Sequence, residues 1–98
     1  MKRAELAPSA QSDLEGISDF TAARWGIAQA EHYLGGMDAL FDRLAEMPFH
    51  GTDRSQLGAG LRSFPLESHL VYYRAVDFGV YIVRVLHKSQ DPAIHFPD

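Results

Sequence analysis

At 98 residues the chain has room for one domain with one modest core. It contains no cysteine, which excludes disulfides, thiolate nucleophiles and Cys-based zinc sites and fits a reducing cytoplasm. It has no apolar run of the ~20 residues a bilayer requires and no signal-peptide pattern after Lys2-Arg3, and its net charge of −4 argues against dominant nucleic-acid binding.

Charge is unevenly spread. Residues 1–53 hold four Lys or Arg against nine Asp or Glu, whereas residues 54–98 hold five against four. The acidity therefore belongs to the N-terminal half, and the C-terminal half offers the better basic face for an acidic partner.

In chain order, residues 2–7 are short, end at Pro8 and are expected to form a first strand. A first helix is predicted from Ser9 to Trp25. Leu14, Ile17, Thr21 and Trp25 recur at steps of three, four and four, and Ala10 and Phe20 widen that stripe. Asp13, Glu15 and Asp19 fall beside it, the earlier ones near the positive end of the helix dipole. Gly26 is expected to take a left-handed C-cap.

A second helix is predicted from Ala28 to Met47. Ala30, Leu34, Met37, Phe41 and Leu44 continue the pattern from Ile27, with Tyr33, Leu40 and Met47 on its flank. Gly35-Gly36 weakens this helix by ~1 kcal/mol per glycine and marks either a close approach or a kink. Pro48 ends it. The short link at Gly26 folds the two helices into an antiparallel hairpin.

Residues 48–60 read as loop. Leu61 to Pro65 is a short strand that Pro65 ends or confines to an edge. Ser68 to Val76, a turn at Asp77-Phe78-Gly79, and Val80 to His87 make a β-hairpin. In the last strand Tyr81, Val83 and Val85 share one face, and Val80, Ile82, Arg84 and Leu86 the other. Both faces are apolar, so this strand belongs inside the sheet. The fold class is α+β, an antiparallel sheet packed on a helical hairpin.

The order of motifs resembles the ParE branch of the RelE/ParE toxin–antitoxin superfamily. The opening Leu6-Ala7-Pro8-Ser9-Ala10 with Asp13-Leu14 and Ile17 is similar to its first helix. Arg24-Trp25-Gly26, Gln29-Ala30 and Tyr33 are similar to its "WG…QA…Y" hinge. Leu44-Ala45, Pro48 and Gly51 resemble the helix exit, Gly60-Leu61-Arg62 the "G.R" motif, and Tyr72-Tyr73-Arg74 the "FYR" motif. Arg84-Val85-Leu86-His87 with Gln90-Asp91 resembles the closing "VLH..QD". The resemblance covers nearly the whole chain. It implies a β-α-α-β-β-β fold, a cytoplasmic toxin, a cognate ParD-like antitoxin bound in a hetero-oligomer, and DNA gyrase as target. Many members are basic, and this chain departs from them in being acidic.

The sister branch of RelE-like toxins cleaves messenger RNA. That chemistry needs a general acid, a general base and clustered cations around the phosphate. The sheet supplies only Arg62, Arg74, Arg84 and His87. His69-Leu70 stands where RelE-like chains carry another arginine, and no lysine lies between Lys2 and Lys88. Action without catalysis is therefore expected, with a ribosome-dependent ribonuclease as the alternative.

Trp25, Arg62, Tyr72, Arg74, Arg84 and His87 are the candidates for partner contact. His87 also suits a structural bond to the C-terminal loop. Arg84, on an apolar strand, needs an internal partner such as Glu67 or Asp77, or a place in the antitoxin groove. Trp25, Tyr33 and Phe41 at helical spacing suit the core, with part of Trp25 left exposed at the hairpin tip. Asp91-Pro92 reads as a simple turn. The five histidines show no metal spacing, Gly58-Ala59-Gly60 lacks the lysine of a phosphate loop, and no cofactor is expected.

Overall fold

The computed structural model describes residues 1–96. Strand β1 (Arg3–Leu6) leads into helices α1 (Pro8–Trp25) and α2 (Ile27–Glu46). Strands β2 (Thr52–Asp53), β3 (Leu61–Leu66), β4 (His69–Val76) and β5 (Gly79–His87) follow, then a one-turn helix α3 (Pro92–His95). The sheet order is β1-β5-β4-β3-β2.

The α+β hairpin-on-sheet arrangement is the expected one, but the sheet is mixed. β1 lies parallel to β5, with Arg3 opposite Gly79 and Leu6 opposite Ile82; the remaining pairs are antiparallel. Parallel neighbours need a long connection. Here the helical hairpin and three strands separate β1 from β5, so the geometry is allowed. Residues 48–60, expected to be loop throughout, contribute the two-residue edge strand β2. Pro65 does not end β3. It sits opposite Leu70, on the part of β3 that β2 leaves uncovered, where a missing N–H costs nothing.

Gly26 closes one helix and opens the next. Its N–H donates to the Ala22 carbonyl at 2.9 Å and its carbonyl accepts from Ala30 at 3.1 Å. Its φ of 97° is positive, yet its ψ of 162° is extended, so the expected left-handed helical cap is not what forms. Gly35-Gly36 lies inside an unbroken α2, and a Cβ at either position would meet nothing within 4 Å. No element exploits the pair for close approach.

The main core lies between the helices and the sheet. Ala10, Ile17, Met37, Leu40, Phe41 and Leu44 pack on Val71, Tyr73, Val80, Ile82 and Val85. The Tyr73 hydroxyl is satisfied by the Gly51 N–H at 2.8 Å. The stripe on α1 runs out before the tip, where Phe20, Trp25 and Ile27 stay exposed.

A second, smaller cluster of Leu61, Tyr72 and Leu86 lies apart from the main core, with Leu57, Leu70, Val83 and Phe96 packed around it. A β-bulge links the two. Tyr72 pairs with Arg84 and Tyr73 with Ile82, so Val83 is the extra residue. The expected alternation along β5 therefore breaks at Val83. Val80, Ile82 and Val85 belong to the main core, while Leu86 joins the second cluster. Asp91-Pro92 is more than a turn. The Asp91 carboxylate accepts from the Ala93 N–H at 3.0 Å and starts α3, after which Phe96 lies 5.0 Å from the Tyr72 ring.

Candidate partner-binding groove

β1 stops pairing at Ile82, which would leave the outer edge of β5 bare. The Ala7 backbone and side chains from the start of α1 take over. Ala7 N–H donates to the Ile82 carbonyl at 2.9 Å, and Ser9 Oγ donates to the Val83 carbonyl at 3.1 Å. Val85 N–H then donates to Asp13 Oδ2 at 2.9 Å. The same carboxylate receives Arg84 in a two-pronged grip, Nε to Oδ2 and Nη2 to Oδ1, both at 2.8 Å. This hydrogen-bonding raises the Arg84 pKa above its ordinary value, against a smaller opposing effect of burial. The expected partners Glu67 and Asp77 are not the ones used. Asp13 lies three residues after buried Ala10 and four before buried Ile17. Its helical spacing was therefore the sequence signal that a carboxylate faces the sheet.

Beside this ion pair runs a groove of about 960 Å³ between the helical hairpin and the end of the sheet. Gly16, Ile17, Gly36 and Val85 line it, together with Phe20 and Trp25 from the hairpin tip and His32, His69 and His87. Gly16 and Gly36 put no side chain into the space, which helps keep the groove open.

The turn at Glu67-Ser68, with Glu67 at a φ of 51°, sets His69 directly opposite His87. Their rings stand nearly perpendicular, 5.4 Å apart. Tyr33 Oη lies 2.7 Å from His69 Nδ1 and donates to the Leu66 carbonyl at 3.1 Å. Burial lowers the pKa of His69, and neighbouring His87 lowers it further. Burial also raises the pKa of Tyr33. His87 bonds the loop that follows it. Its Nδ1 accepts from the Ser89 N–H at 3.1 Å, and its own N–H donates to Gln90 Oε1 at 2.7 Å.

The six candidate residues do not converge. Trp25, 65% exposed, and His87 line the groove. Arg84 is held by Asp13. Tyr72 is only 2% exposed, beneath Phe96. Arg62 donates to the Gly51 and Phe49 carbonyls at 2.9 and 3.3 Å, and Arg74 to the Ala59 carbonyl at 2.9 Å. Sequence reasoning missed Phe20, His32, Tyr33 and His69 as groove residues, because the fold brings His69 to the other three across 36 to 49 positions of chain. Among the described residues, no three His, Asp or Glu converge as metal ligands, and no helix is long and apolar enough to cross a membrane.

Comparison with known proteins agrees over nearly the full length. The family described as ParE toxin of type II toxin-antitoxin system, parDE, matches residues 4–92. Toxin ParE1 of Mycobacterium tuberculosis is 40% identical over 87 residues, covering 88% of this chain and 89% of the relative. Toxin ParE1 of Caulobacter vibrioides is 38% identical over 95 residues, covering 97% and 98%. Among solved structures, a chain of the chromosomal ParDE TA system from P. aeruginosa superposes with a TM-score of 0.75 at 20% identity, over 89% of this chain and 96% of the other, which supports the fold.

Proposed function

Because the chain belongs to the ParE toxin family of type II toxin–antitoxin systems, we propose that it acts in the cytoplasm on DNA gyrase, by protein–protein contact and without catalysis of its own, and that a ParD-like antitoxin silences it. The observation that carries this reading is the family match across residues 4–92. The groove supports an antitoxin seat. It is open and lined by the exposed aromatic side chains of Phe20 and Trp25, a setting that accepts the apolar face of a partner helix.

The disposition of the arginines supports action without catalysis. Phosphoryl chemistry on RNA needs cations gathered around one phosphate beside an acid and a base. Arg84 is neutralised by Asp13, Arg62 binds carbonyls near the exit of α2, Arg74 is pinned to Ala59, and His87 lies on the groove.

The test is induction of the chain alone and together with the product of the adjacent gene. Growth arrest is expected alone, with rescue and co-purification when the two are expressed together. Purified toxin should inhibit supercoiling by gyrase while translated messages stay intact. Cleavage within codons, mapped by primer extension, would instead identify a ribonuclease.

A further inference from the structure

The end of β5 borders the groove without offering it a free strand edge. The Val85 N–H is taken by Asp13 and the His87 N–H by Gln90 Oε1. A segment entering here docks through side chains, as a helix does, and not by extending the sheet. Ile17, Phe20, Trp25 and Val85 give it apolar surface. At Gly16 and Gly36 the wall has no side chain, so bulky partner residues can come close.

Charge narrows the choice of occupant. Among the described residues, no lysine or arginine lines the groove, whereas Asp13 and Glu67 do. Asp13 commits both oxygens to Arg84 and the Val85 N–H. Glu67 is exposed and belongs to neither ion pair of the described residues, Arg3–Glu5 or Arg84–Asp13. Glu15 and Asp19, also exposed and outside those pairs, stand three residues after the lining residues Ser12 and Gly16. That spacing makes them surface neighbours of the groove wall on α1. Two cations stand next to lining residues without joining them: Arg24, 5.6 Å over the Trp25 ring, and Lys88, which follows His87. The hairpin Pro8–Glu46 as a whole carries seven Asp or Glu against two Arg. The field over the groove is thus negative.

We infer that the occupant is an amphipathic helix with bulky apolar side chains on one face and lysine or arginine, not acid, along the edges of that face. The inference rests on the toxin–antitoxin reading above and gives the antitoxin segment its chemistry. The apolar face covers Phe20 and Trp25, while the cations meet Glu67 on one side and Glu15 and Asp19 on the other. Exposed pairs of this kind are individually weak, so they set orientation and on-rate, and the apolar face supplies most of the affinity.

Trp25 is the only tryptophan of the chain, so its fluorescence reports on the groove directly. The probes are two synthetic amphipathic helices without tryptophan. They share one leucine-rich face and differ only in carrying lysine or glutamate along its edges. The lysine-edged peptide should bind roughly tenfold or more tighter at low salt, and the gap should shrink at high salt. Glu15→Gln/Asp19→Asn/Glu67→Gln should erase most of that preference. Gly36→Leu adds a side chain where a Cβ meets nothing within 4 Å, and leucine suits a helix better than glycine. This variant should melt no lower than the wild type yet lose the lysine-edged peptide.

Equal affinities, a preference for the glutamate-edged peptide, or an unmoved Trp25 signal with both would overturn the inference. So would a Gly36→Leu chain that binds as the wild type does, since the contact would then lie outside the groove. If Gly36→Leu does not fold, the surface triple still decides: a triple that keeps the full preference sinks the proposal. Capture of the adjacent gene's product is read separately. A chain that captures none but prefers the lysine-edged peptide loses the antitoxin reading and keeps the preference of the groove. A chain that holds an antitoxin and ranks the peptides the other way loses this inference alone.

Discussion

The main core and the second cluster are stabilised by different means. The main core is continuous: helices α1 and α2 and strands β4 and β5 contribute buried side chains, and β1 and β3 add partly buried ones. The second cluster has only Leu61, Tyr72 and Leu86 as its buried centre, closed by Leu57 of the loop and by Phe96. At its margin Arg84 joins Asp13 of α1 and reaches His95 Nδ1 at 3.4 Å. Apolar area thus sustains the helix-facing side, while the other side depends on a few directed contacts. The packed layer holds the groove walls in place.

The severest way to break the packed layer is at the β1–β5 junction. Gly79 has a φ of 140°, and a Cβ there would collide with the backbone of Arg3. Gly79→Val should expel β1 and cost roughly 4 kcal/mol or more, read as a fall in urea midpoint. An unchanged midpoint would show that β1 contributes little.

Next come matched truncations. Ile82→Ala in the main core should cost about 4 kcal/mol, near the top of the range for buried aliphatics, because neighbours fixed by two helices cannot close the void. Leu86→Ala in the second cluster should cost about 2 kcal/mol, because α3 and the loop can settle inward. Equal losses would erase the distinction drawn between them.

Arg84→Met sharpens it further. The substitution keeps an apolar stem and leaves the Asp13 side chain, 14% exposed, with the Val85 N–H alone. A loss of about 2 kcal/mol is expected. Adding Asp13→Asn should recover part of it in a double-mutant cycle, and strict additivity would mean that the pair is not coupled.

These contrasts also explain what was legible in the sequence. Periodicity found both helices and the β4–β5 hairpin within a residue or two, because burial of a continuous stripe writes itself at regular spacing. It placed Met37, Phe41 and Leu44 in the core, where they are. It failed where one residue resets the pattern. The bulge at Val83 reverses the faces of β5, and nothing local announces it. It also failed where chemistry depends on distant segments. Asp13 and Arg84 are 71 positions apart, and Tyr33 and His69 are 36 apart. The parallel placement of β1 was hidden for the same reason, since its partner lies at the other end of the chain.

The smallest effect expected is a pH dependence centred on the groove. Burial, then the neighbouring His87, lower the pKa of His69 in the folded chain. Protons therefore favour the unfolded state. This contribution to stability is complete above the unfolded histidine value of about 6.5 and is lost as pH falls below it toward the folded value. The two causes agree in sign: burial disfavours the charged imidazole, and His87 stands across the strand pair with its ring 5.4 Å away. Tyr33 and His32 face the same groove from α2, and the carboxylates of Asp13 and Glu67 also line it. Asp53, held below the usual carboxylate range mainly by its hydrogen bond to Ser55, loses its contribution only in more acidic solution. His69→Asn keeps a polar amide near the position of Nδ1 and removes the titration, so its urea midpoint should fall less than that of the wild type between about pH 7 and pH 5.5. Parallel slopes for the two proteins would remove His69 from the account. A steeper slope for the variant would mean that the buried imidazole gains a proton on folding, contrary to its setting between Tyr33 and His87.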